Sequence, residues 1–535
     1  MSEQSSQSLA QRGGVVPGRA AVVGRRKRRP YTEALPKHKT GAASLRPYVG
    51  RLIVGAKSLR PYACEWLVLA LLPLLAGCAS YTDQTASLRG SWTAGNFPGA
   101  ETIAAAAAKD SPSRDAVLWD LEAGAAARAA GDIPSSLAAF NRADALFDYW
   151  DGQPQISISR ETEGLLVNPT VLPYRGYDYD RIMESTYQAL NYLQLGKFDE
   201  ARVEMNRALD RQRDAVTDNA KRIEAAQKAS KDSASNGGYN AARAQQDPRF
   251  QAQYQQAYAA LDGFKFYSPY VNPFATYLQG VCLMARPQSA SDYESARVDF
   301  ERVRAMIGSN AYIDADCDLA TALANGQAAM PANGLTYIIY ETGEAPDRGE
   351  TRIDIPLFVA TKDVPYFGVA FPKLNFNNQY DRGLVVQAAG VAPLRTDVLC
   401  DMDSVIAQEF KNDLPDVVVK TLISAGAKAA ALYGIHQETR QAASNPNNVL
   451  DTLTQLGGMF YQVAANHADL RTWVTLPKQF LFCRLPTPPD HKLTITSDAT
   501  GETSVVDVPA GTVSMIYVKT AAAGNRMAIQ VFSLR

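Results

Sequence analysis

From about residue 83 to residue 330, apolar side chains recur at the three- and four-residue spacing of an amphipathic helix. Alanine is abundant in this stretch, and runs of strand-forming residues are nearly absent. The pattern therefore predicts that this half of the chain is α-helical.

A turn pattern recurs within the helical half, in which a glycine, a polar residue and an apolar residue are followed by a small side chain. It occurs at Gly95-Asn96-Phe97, Gly131-Asp132-Ile133 and Gly196-Lys197-Phe198, with a copy lacking the glycine at Asp292-Tyr293. Glycine supplies the conformation that ends a helix, so each turn is predicted to join two helices. Small residues are expected where paired helices approach, with larger side chains filling the space between them: Gly124, Ser136, Ala143, Ala189, Ala201 and Ala208, with Phe140 and Met205.

Residues 118–146 and 183–209 resemble tetratricopeptide repeats, whose helix pairs recur about every 34 residues. In such repeats each pair leaves an apolar face that a neighbouring pair must cover. The alternative is a generic Ala-rich helical bundle, because glycine turns with nearby alanines are common. The charged residues 211–247 indicate a long helical hairpin or a partly disordered insert.

After residue 333 the pattern changes to short runs rich in β-forming residues, separated by turn-rich segments, which is typical of β-strands. Two helices, at residues 396–432 and 449–465, interrupt these strands. We expect an α+β domain in which helices cover an antiparallel sheet, with a small β-sandwich-like module at its end. The predicted strands are residues 335–341, 351–359, 366–371, 384–388, 479–484, 492–497, 503–508, 513–518 and 527–534.

The uncharged apolar run at residues 66–77 is too short to span a bilayer core of about 30 Å and is typical of a signal peptide. It ends in Leu75-Ala76-Gly77-Cys78, which resembles the bacterial lipobox. That resemblance implies cleavage after Gly77 and acylation of Cys78. The alternative is a buried core helix that ends in a cysteine. Because Ala79 and Ser80 follow the cysteine, without an inner-membrane retention Asp, the resemblance favours the outer membrane and a periplasm-facing ectodomain.

Residues 1–62 differ sharply in charge from the rest of the chain. They carry 13 Lys and Arg against two acidic residues, whereas residues 79–535 carry 41 basic and 52 acidic side chains. An acidic main body argues against nucleic acid as its ligand. We interpret residues 1–62 as a basic disordered leader or a misassigned start, followed by a signal segment (63–77), a helical domain (78–330) and a C-terminal domain (334–535).

The cysteine spacing contains no zinc motif. Cys282, Cys317, Cys400 and Cys483 form an even set in a body that is expected in an oxidising compartment. They are predicted either to form two disulfides, Cys282 to Cys317 and Cys400 to Cys483, or to be four separate buried thiols.

The common catalytic signatures are absent, and only four histidines occur: His38, His436, His467 and His491. The acidic run at residues 314–318 lacks the spacing of a calcium loop and is predicted to be a solvated helix start. Asp401 and Asp403 are expected to lie at the N-terminus of a helix. We therefore expect no metal, no cofactor and no enzymatic activity.

Five features together resemble an uncharacterised family of bacterial envelope lipoproteins over residues 75–535. They are the lipobox, the helix pairs, residues 172–177, residues 337–343 with 352–357, and residues 469–473. The resemblance implies an architecture but no activity. The expected function is that of an interaction scaffold or adaptor, whose helix pairs bind an envelope protein while the lipid holds it at the membrane.

Two alternative functions remain open at this point. The first is a polysaccharide- or peptidoglycan-binding lipoprotein that stacks sugars on Trp473, Tyr461 and Tyr517. The second is a periplasmic hydrolase with His467 or His436 in its cleft, for which His467-Ala468-Asp469 supplies an imidazole and a carboxylate but no clear nucleophile.

Overall fold

The structure, a computed structural model, describes residues 81–111, 113–153, 172–235, 239–267, 270–356, 358, 366–442 and 468–535. All of these residues belong to one compact unit, Cys78–Arg535. Helices make up 53% and strands 19%, so the predicted combination of α and β structure is confirmed. Among the helices in these ranges, none combines the length and apolar character needed to cross a bilayer.

Twelve helices precede the first strand in the described part of the chain. They are α1 (Tyr81–Gln84), α2 (Ala86–Thr93), α3 (Phe97–Asp110), α4 (Ala116–Ala130), α5 (Ile133–Asp151), α6 (Asp178–Gln194), α7 (Phe198–Ser235), α8 (Ala241–Gln245), α9 (Pro248–Tyr258), α10 (Pro273–Ala285), α11 (Ser291–Ile307) and α12 (Ala311–Ala324). Most of the charged stretch at residues 211–247 belongs to α7, which runs without a break for 38 residues.

Short-range signals set where the helices begin and end. At the start of α5, Oδ1 of Asp132 accepts a hydrogen bond from the backbone N–H of Ser135 at 3.1 Å, which satisfies an N–H that has no partner within the helix. Gly131 and Gly196, which follow α4 and α6, have positive φ angles of 89° and 70°. The glycine turns predicted from the sequence are therefore confirmed at both positions.

Neighbouring helices pack as pairs, α4 with α5, α6 with α7, and α10 with α11. A Cβ atom at Gly124 would lie 2.5 Å from the ring of Phe140 on the paired helix. A Cβ atom at Gly280 on α10 would lie 2.9 Å from the ring of Phe300 on α11. Both rings are fully buried. The same contact of a glycine with a phenylalanine ring therefore brings two of the helix pairs together.

The strands form two sheets and a separate hairpin. The five-stranded sheet has the order β11-β10-β1-β7-β6, the four-stranded sheet has the order β5-β4-β8-β9, and β2 pairs with β3. The strands are β1 (Leu335–Thr342), β2 (Asp347–Pro356), β3 (Tyr366–Asn375), β4 (Leu384–Ala388), β5 (Leu394–Arg395), β6 (Asp397–Asp401), β7 (Gln479–Pro486), β8 (Lys492–Ser497), β9 (Thr503–Asp507), β10 (Val513–Thr520) and β11 (Ala528–Ser533).

Strand β1 is the middle strand of the five-stranded sheet, and all eight of its residues are buried. Tyr337 and Ile339 pack in the core beneath the helices, whereas Ile338 and Tyr340 pack in the core shared with the four-stranded sheet. β1 pairs antiparallel with β7 but parallel with β10, where Ile338 lies opposite Ile516. The expected antiparallel pairing is found for the other described strand pairs but not for β1 with β10, because the long chain between these two strands allows the return that a parallel neighbour requires.

The helices, the five-stranded sheet and the four-stranded sheet form three layers. The ring of Phe274 on α10 stacks on Phe480 of β7, with ring centroids 4.0 Å apart. The change of pattern at residues 330–334 therefore marks a change of secondary structure within one shared core. The last two strands do not form a separate sandwich module, since β10 and β11 extend the sheet that contains β1.

The hairpin of β2 and β3 packs against α13 (Met402–Ala442), where Ile353 and Phe371 share a core with Phe410. The helix predicted from residue 396 begins instead at Met402, because residues 397–401 form β6 and pair with β7. The helix predicted at residues 449–465 lies outside the described residues.

Candidate functional site

Helix α6 is buried along nearly its whole length, although many of its residues are polar. Glu184 forms an ion pair with Arg211 at 2.6 Å. Asn191 accepts a hydrogen bond from Nη1 of Arg128 at 2.7 Å and donates one to the hydroxyl of Ser136 at 2.8 Å. Burial of a polar group is unfavourable unless the group has a hydrogen-bond or ion-pair partner. These contacts therefore hold α6 in place against the neighbouring helices.

Segments that carried the family resemblance converge on α6. The backbone N–H of Tyr177, in the segment 172–177, donates to Asp180 at 2.9 Å. In the segment 469–473, the hydroxyl of Thr472 lies 3.3 Å from that of Tyr179. The hydroxyl of Tyr187 donates to Glu341, in the segment 337–343, at 3.0 Å. The distant sequence motifs therefore surround one buried polar helix.

The carboxylate of Glu341 forms a buried ion pair with Lys519. Beside this pair is a cavity of about 10 Å³, lined by Arg128 and Gln530 among others. Nε and Nη2 of Arg128 and Oε1 of Gln530 have no hydrogen-bond partner among the described residues. A cavity of this size holds about one water molecule, which can accept from Arg128 and donate to Gln530. The small cavity is therefore polar and too small for a ligand larger than water.

A larger cavity, of about 370 Å³, lies between the pairs α6–α7 and α10–α11, and we call it the interpair cavity. Its volume falls within the range of ligand pockets, roughly 300–1,000 Å³. Residues from the start of α7 and the end of α10 form two of its walls, and Leu193 of α6 also lines it. Leu534 and Arg535 line it from beyond β11.

The walls of the interpair cavity are two helical stripes with the same spacing. One stripe lies on α7, and the other runs along α10 to Arg286, the first residue after that helix. Each stripe has lining residues at positions i, i+3, i+4 and i+7, the spacing of one helix face. They are Phe198, Ala201, Arg202 and Met205 on the first, and Gln279, Cys282, Leu283 and Arg286 on the second. Each stripe covers two helical turns, or about 10 Å.

Contacts at both ends of the stripes show that they run in opposite directions. At one end, the guanidinium carbon of Arg286 lies 3.9 Å from the centroid of the Phe198 ring. At the other end, Nε2 of Gln279 donates to Oδ1 of Asn206 at 3.3 Å. The cavity therefore has a cationic end and a neutral polar end, separated by its apolar middle.

The polar groups of the interpair cavity differ in how far they are paired. Arg202 donates two hydrogen bonds to Asp292, at 2.8 and 3.0 Å, so its charge is compensated. Oε1 of Gln279 is buried and has no hydrogen-bond partner in the described part of the chain. Burial raises the pKa of the Cys282 thiol, which therefore stays protonated and is a poor nucleophile. The cavity is thus suited to binding and has no activated nucleophile among these groups.

Gln279 and Arg286 were not among the site residues predicted from the sequence. The i, i+3, i+4, i+7 spacing at residues 279–286 is visible in the sequence. It predicts one face of a helix without indicating which other helix that face meets.

Neither predicted disulfide is present, because Cys282, Cys317, Cys400 and Cys483 are all free. Helix α11 packs against both α10, which carries Cys282, and α12, which carries Cys317. Cys400 packs beneath the helices and Cys483 packs between the two sheets, so they lie on opposite faces of one sheet. The alternative of four separate thiols describes the structure. Gly77 and Cys78 lie outside the described residues.

The acidic run at residues 314–318 is not a wholly solvated helix start, because Asp316 is completely buried. It forms an ion pair with Arg484 at 2.5 Å and accepts hydrogen bonds from the hydroxyls of Tyr277 (2.7 Å) and Tyr337 (2.9 Å). Burial raises the pKa of Asp316, while the Arg484 charge opposes that change. The run therefore ties α12 to the sheet.

The two aspartates expected at a helix start flank Met402, the first residue of α13. Asp401 accepts a hydrogen bond from the hydroxyl of Ser404 at 2.7 Å. Asp403 is buried and forms an ion pair with Lys478, and burial raises its pKa to about 7. The placement at the helix start is correct, and Asp403 also connects α13 to the residues before β7.

The residues named for catalysis and glycan stacking do not assemble into a described site. His38, His467 and Tyr461 lie outside the described residues, and the structure does not describe the surroundings of the His436 side chain. His491 lies in the turn before β8, with Nδ1 3.2 Å from the carbonyl oxygen of Val508. Trp473 and Tyr517 are buried, so neither ring is available to a sugar. Within the described ranges no group of three or more metal-ligating side chains is found.

Comparison of the chain with protein-family models, curated proteins and solved structures found no match.

Proposed function

We propose that this protein is an envelope lipoprotein of a bacterium, acylated at Cys78 and held at the outer membrane with its compact unit facing the periplasm. The support is the apolar run that ends in Leu75-Ala76-Gly77-Cys78, together with a compact unit whose described residues begin at Tyr81, three residues after the cysteine. Two or more acyl chains are needed for stable attachment, which a mature lipoprotein provides.

At the membrane, the protein acts as a scaffold or adaptor that binds a segment of another envelope protein, and it does not catalyse a reaction. The observation that carries this proposal is the interpair cavity, which combines a ligand-sized volume with an unpaired buried acceptor on Gln279. The helix pairs are tetratricopeptide-like units, and the cavity lies where the pair α6–α7 meets α10 of another pair.

Expression of the wild type and of Cys78→Ala in a Gram-negative host tests the membrane attachment. The wild type is expected to carry a diacylglycerol modification on Cys78, measured by mass spectrometry, and to fractionate with the outer membrane. Cys78→Ala is expected to lose both properties. If both forms retain residues 1–77 and remain soluble, the lipoprotein proposal is wrong.

A photo-cross-linking amino acid at position 283, inside the interpair cavity, tests the scaffold role in the same cells. The matched control carries the cross-linker at Arg302, which is exposed on α11. A discrete cross-linked envelope protein from position 283 alone is the expected result. Equal cross-linking from both positions would show that the cavity is not the site at which the partner binds.

A further inference from the structure

We infer that the interpair cavity binds an extended peptide segment of about three residues, with an acidic side chain at the Arg286 end and an apolar side chain at its centre. This inference rests on the proposed function, because it specifies the chemistry of the partner segment that the scaffold binds.

The length of the segment follows from the two stripes. Each stripe, from Phe198 to Met205 and from Gln279 to Arg286, covers about 10 Å. An extended chain advances about 3.3 Å per residue, so three residues span the cavity from one end to the other.

Gln279 determines which group of a ligand fits at the neutral end of the interpair cavity. Gln279 is 93% buried, its Nε2 donates to Asn206, and its Oε1 has no donor among the residues that the structure describes. A buried acceptor without a partner is unfavourable, and a backbone N–H of a bound peptide supplies the missing donor. A fatty acid or another acid without an N–H or O–H donor at this distance leaves Gln279 unsatisfied.

Arg286 determines which group of a ligand fits at the cationic end of the interpair cavity. Its guanidinium lies over the ring of Phe198, which leaves the edge of the guanidinium plane open for a carboxylate. The neighbouring Arg202 is already bound by Asp292. Asp199 at the same end accepts a hydrogen bond from Nε2 of Gln288 at 3.2 Å, which partly compensates its charge. Arg286 can therefore pair with an acidic side chain of the ligand, and Arg535, which lines the cavity from beyond β11, is a second guanidinium in the lining.

The middle of the cavity is apolar. Leu193, Met205 and Leu283 contribute side chains that are each at least nine-tenths buried in the protein. An apolar side chain of the bound segment covers the remaining exposed surface of these residues, which is favourable. Along the bound segment we therefore expect an acidic side chain, then an apolar side chain, and then a backbone N–H donor.

An array of random dodecapeptides, probed with the full chain purified in detergent, tests this inference. Bound peptides are expected to be enriched in Asp or Glu within two positions of Leu, Ile, Met or Phe. Arg286→Gln is expected to bind the selected peptides about tenfold or more weakly, as befits the loss of one charged hydrogen bond. Arg302→Gln, which removes an exposed arginine outside the cavity, is the matched control and is expected to bind as the wild type does.

A second variant separates the two ends of the cavity. Gln279→Met, which keeps the side-chain size but removes the acceptor, is expected to weaken binding while the preference for acidic residues persists. Thermal unfolding of each variant confirms that it is folded.

Three outcomes overturn the inference in different ways. If bound peptides show no acidic preference, or if Arg286→Gln binds them as tightly as the wild type, the ligand chemistry is wrong while the scaffold proposal stands. If folded wild-type protein binds no peptide on the array, both the ligand chemistry and the interpair cavity as the binding surface are wrong. Membrane attachment through Cys78 is measured separately and does not depend on any of these results.

Discussion

The carboxylate of Glu409, on α13, accepts the backbone N–H of Tyr179 in the first turn of α6 at 2.9 Å. Its other oxygen accepts the N–H of Asp178 at 2.8 Å. The first N–H groups of a helix have no partner within that helix, so a residue from the C-terminal half completes the start of a helix in the helical half. This contact makes the stability of the buried helix α6 depend on α13.

Glu409→Ala removes the acceptor for both of these N–H groups. We expect the free energy of unfolding to fall by about 1–3 kcal/mol, the usual cost of leaving buried donors unpaired. Glu409→Gln keeps one oxygen acceptor and is expected to lose less. Urea unfolding monitored by far-UV circular dichroism measures both variants. If Glu409→Ala unfolds at the same urea concentration as the wild type, the contact does not stabilise the fold.

Gly124→Ala places a methyl group 2.5 Å from the ring of Phe140, in the interface between α4 and α5. We expect this overpacking to lower the free energy of unfolding by about 1–3 kcal/mol. Gly90→Ala is the matched control, because a Cβ atom at Gly90 in α2 meets no atom within 4 Å. That control is expected to be neutral or more stable by up to about 1 kcal/mol. Equal thermal midpoints for the two variants would show that the α4–α5 interface adjusts freely.

Asp316→Asn breaks a buried ion pair with Arg484 and weakens the hydrogen bonds from two tyrosine hydroxyls. Removing one charge of a buried pair typically costs about 3–5 kcal/mol. Asp318→Asn alters an exposed residue of the same acidic run and is expected to change the free energy of unfolding by less than about 0.5 kcal/mol. Chemical unfolding of the two variants gives the comparison. Similar losses for both would mean that the Arg484 ion pair contributes little.

Glu122 makes the stability of the fold depend on pH. Burial raises the pKa of Glu122 to about 7, even though Tyr81, Val474 and Thr475 all donate hydrogen bonds to its carboxylate. An unfolded chain releases this proton near pH 4, whereas the folded protein keeps it until about pH 7. The folded state therefore binds more protons between these values. The contribution of Glu122 to stability is fully present below about pH 4 and is lost as the pH rises through 7.

Glu122→Gln removes this titration. We expect the difference in unfolding free energy between wild type and variant to change by on the order of 3 kcal/mol between pH 4 and pH 8, since each pKa unit corresponds to about 1.4 kcal/mol. Denaturant unfolding at both pH values measures it. Other buried acids, such as Asp180, titrate in both proteins and cancel in the comparison. A difference that does not vary with pH would assign the proton to another group.

Local patterns in the sequence predict much of the secondary structure. The β-rich runs located β1, β4 and β8 almost to the residue, because β-branched and aromatic side chains favour strands. The glycine turns at Gly131 and Gly196 are correct because positive φ is a strictly local requirement.

The partners of the strands depend on long-range packing. Nothing near Ile338 indicates a parallel neighbour in Ile516, and nothing near Val398 indicates a short strand before α13. Asp316 was expected in solvent because its run is acidic, yet Arg484, Tyr277 and Tyr337 lie far from it in sequence. For the same reason the interpair cavity was not predicted, since it exists only where two separate helices face each other.

The central position of β1 determines when the molecule can finish folding. Of the strands in the described ranges, β1 comes first, and one of its two neighbours, β10, is the second-last. Pairings between residues so far apart slow folding, because loop closure costs entropy before the contacts compensate for it. The apolar underside of the helices stays uncovered until the end of the chain is available. We therefore expect C-terminal truncations before β10 to aggregate, and refolding of the full chain to be slow compared with that of a helical bundle.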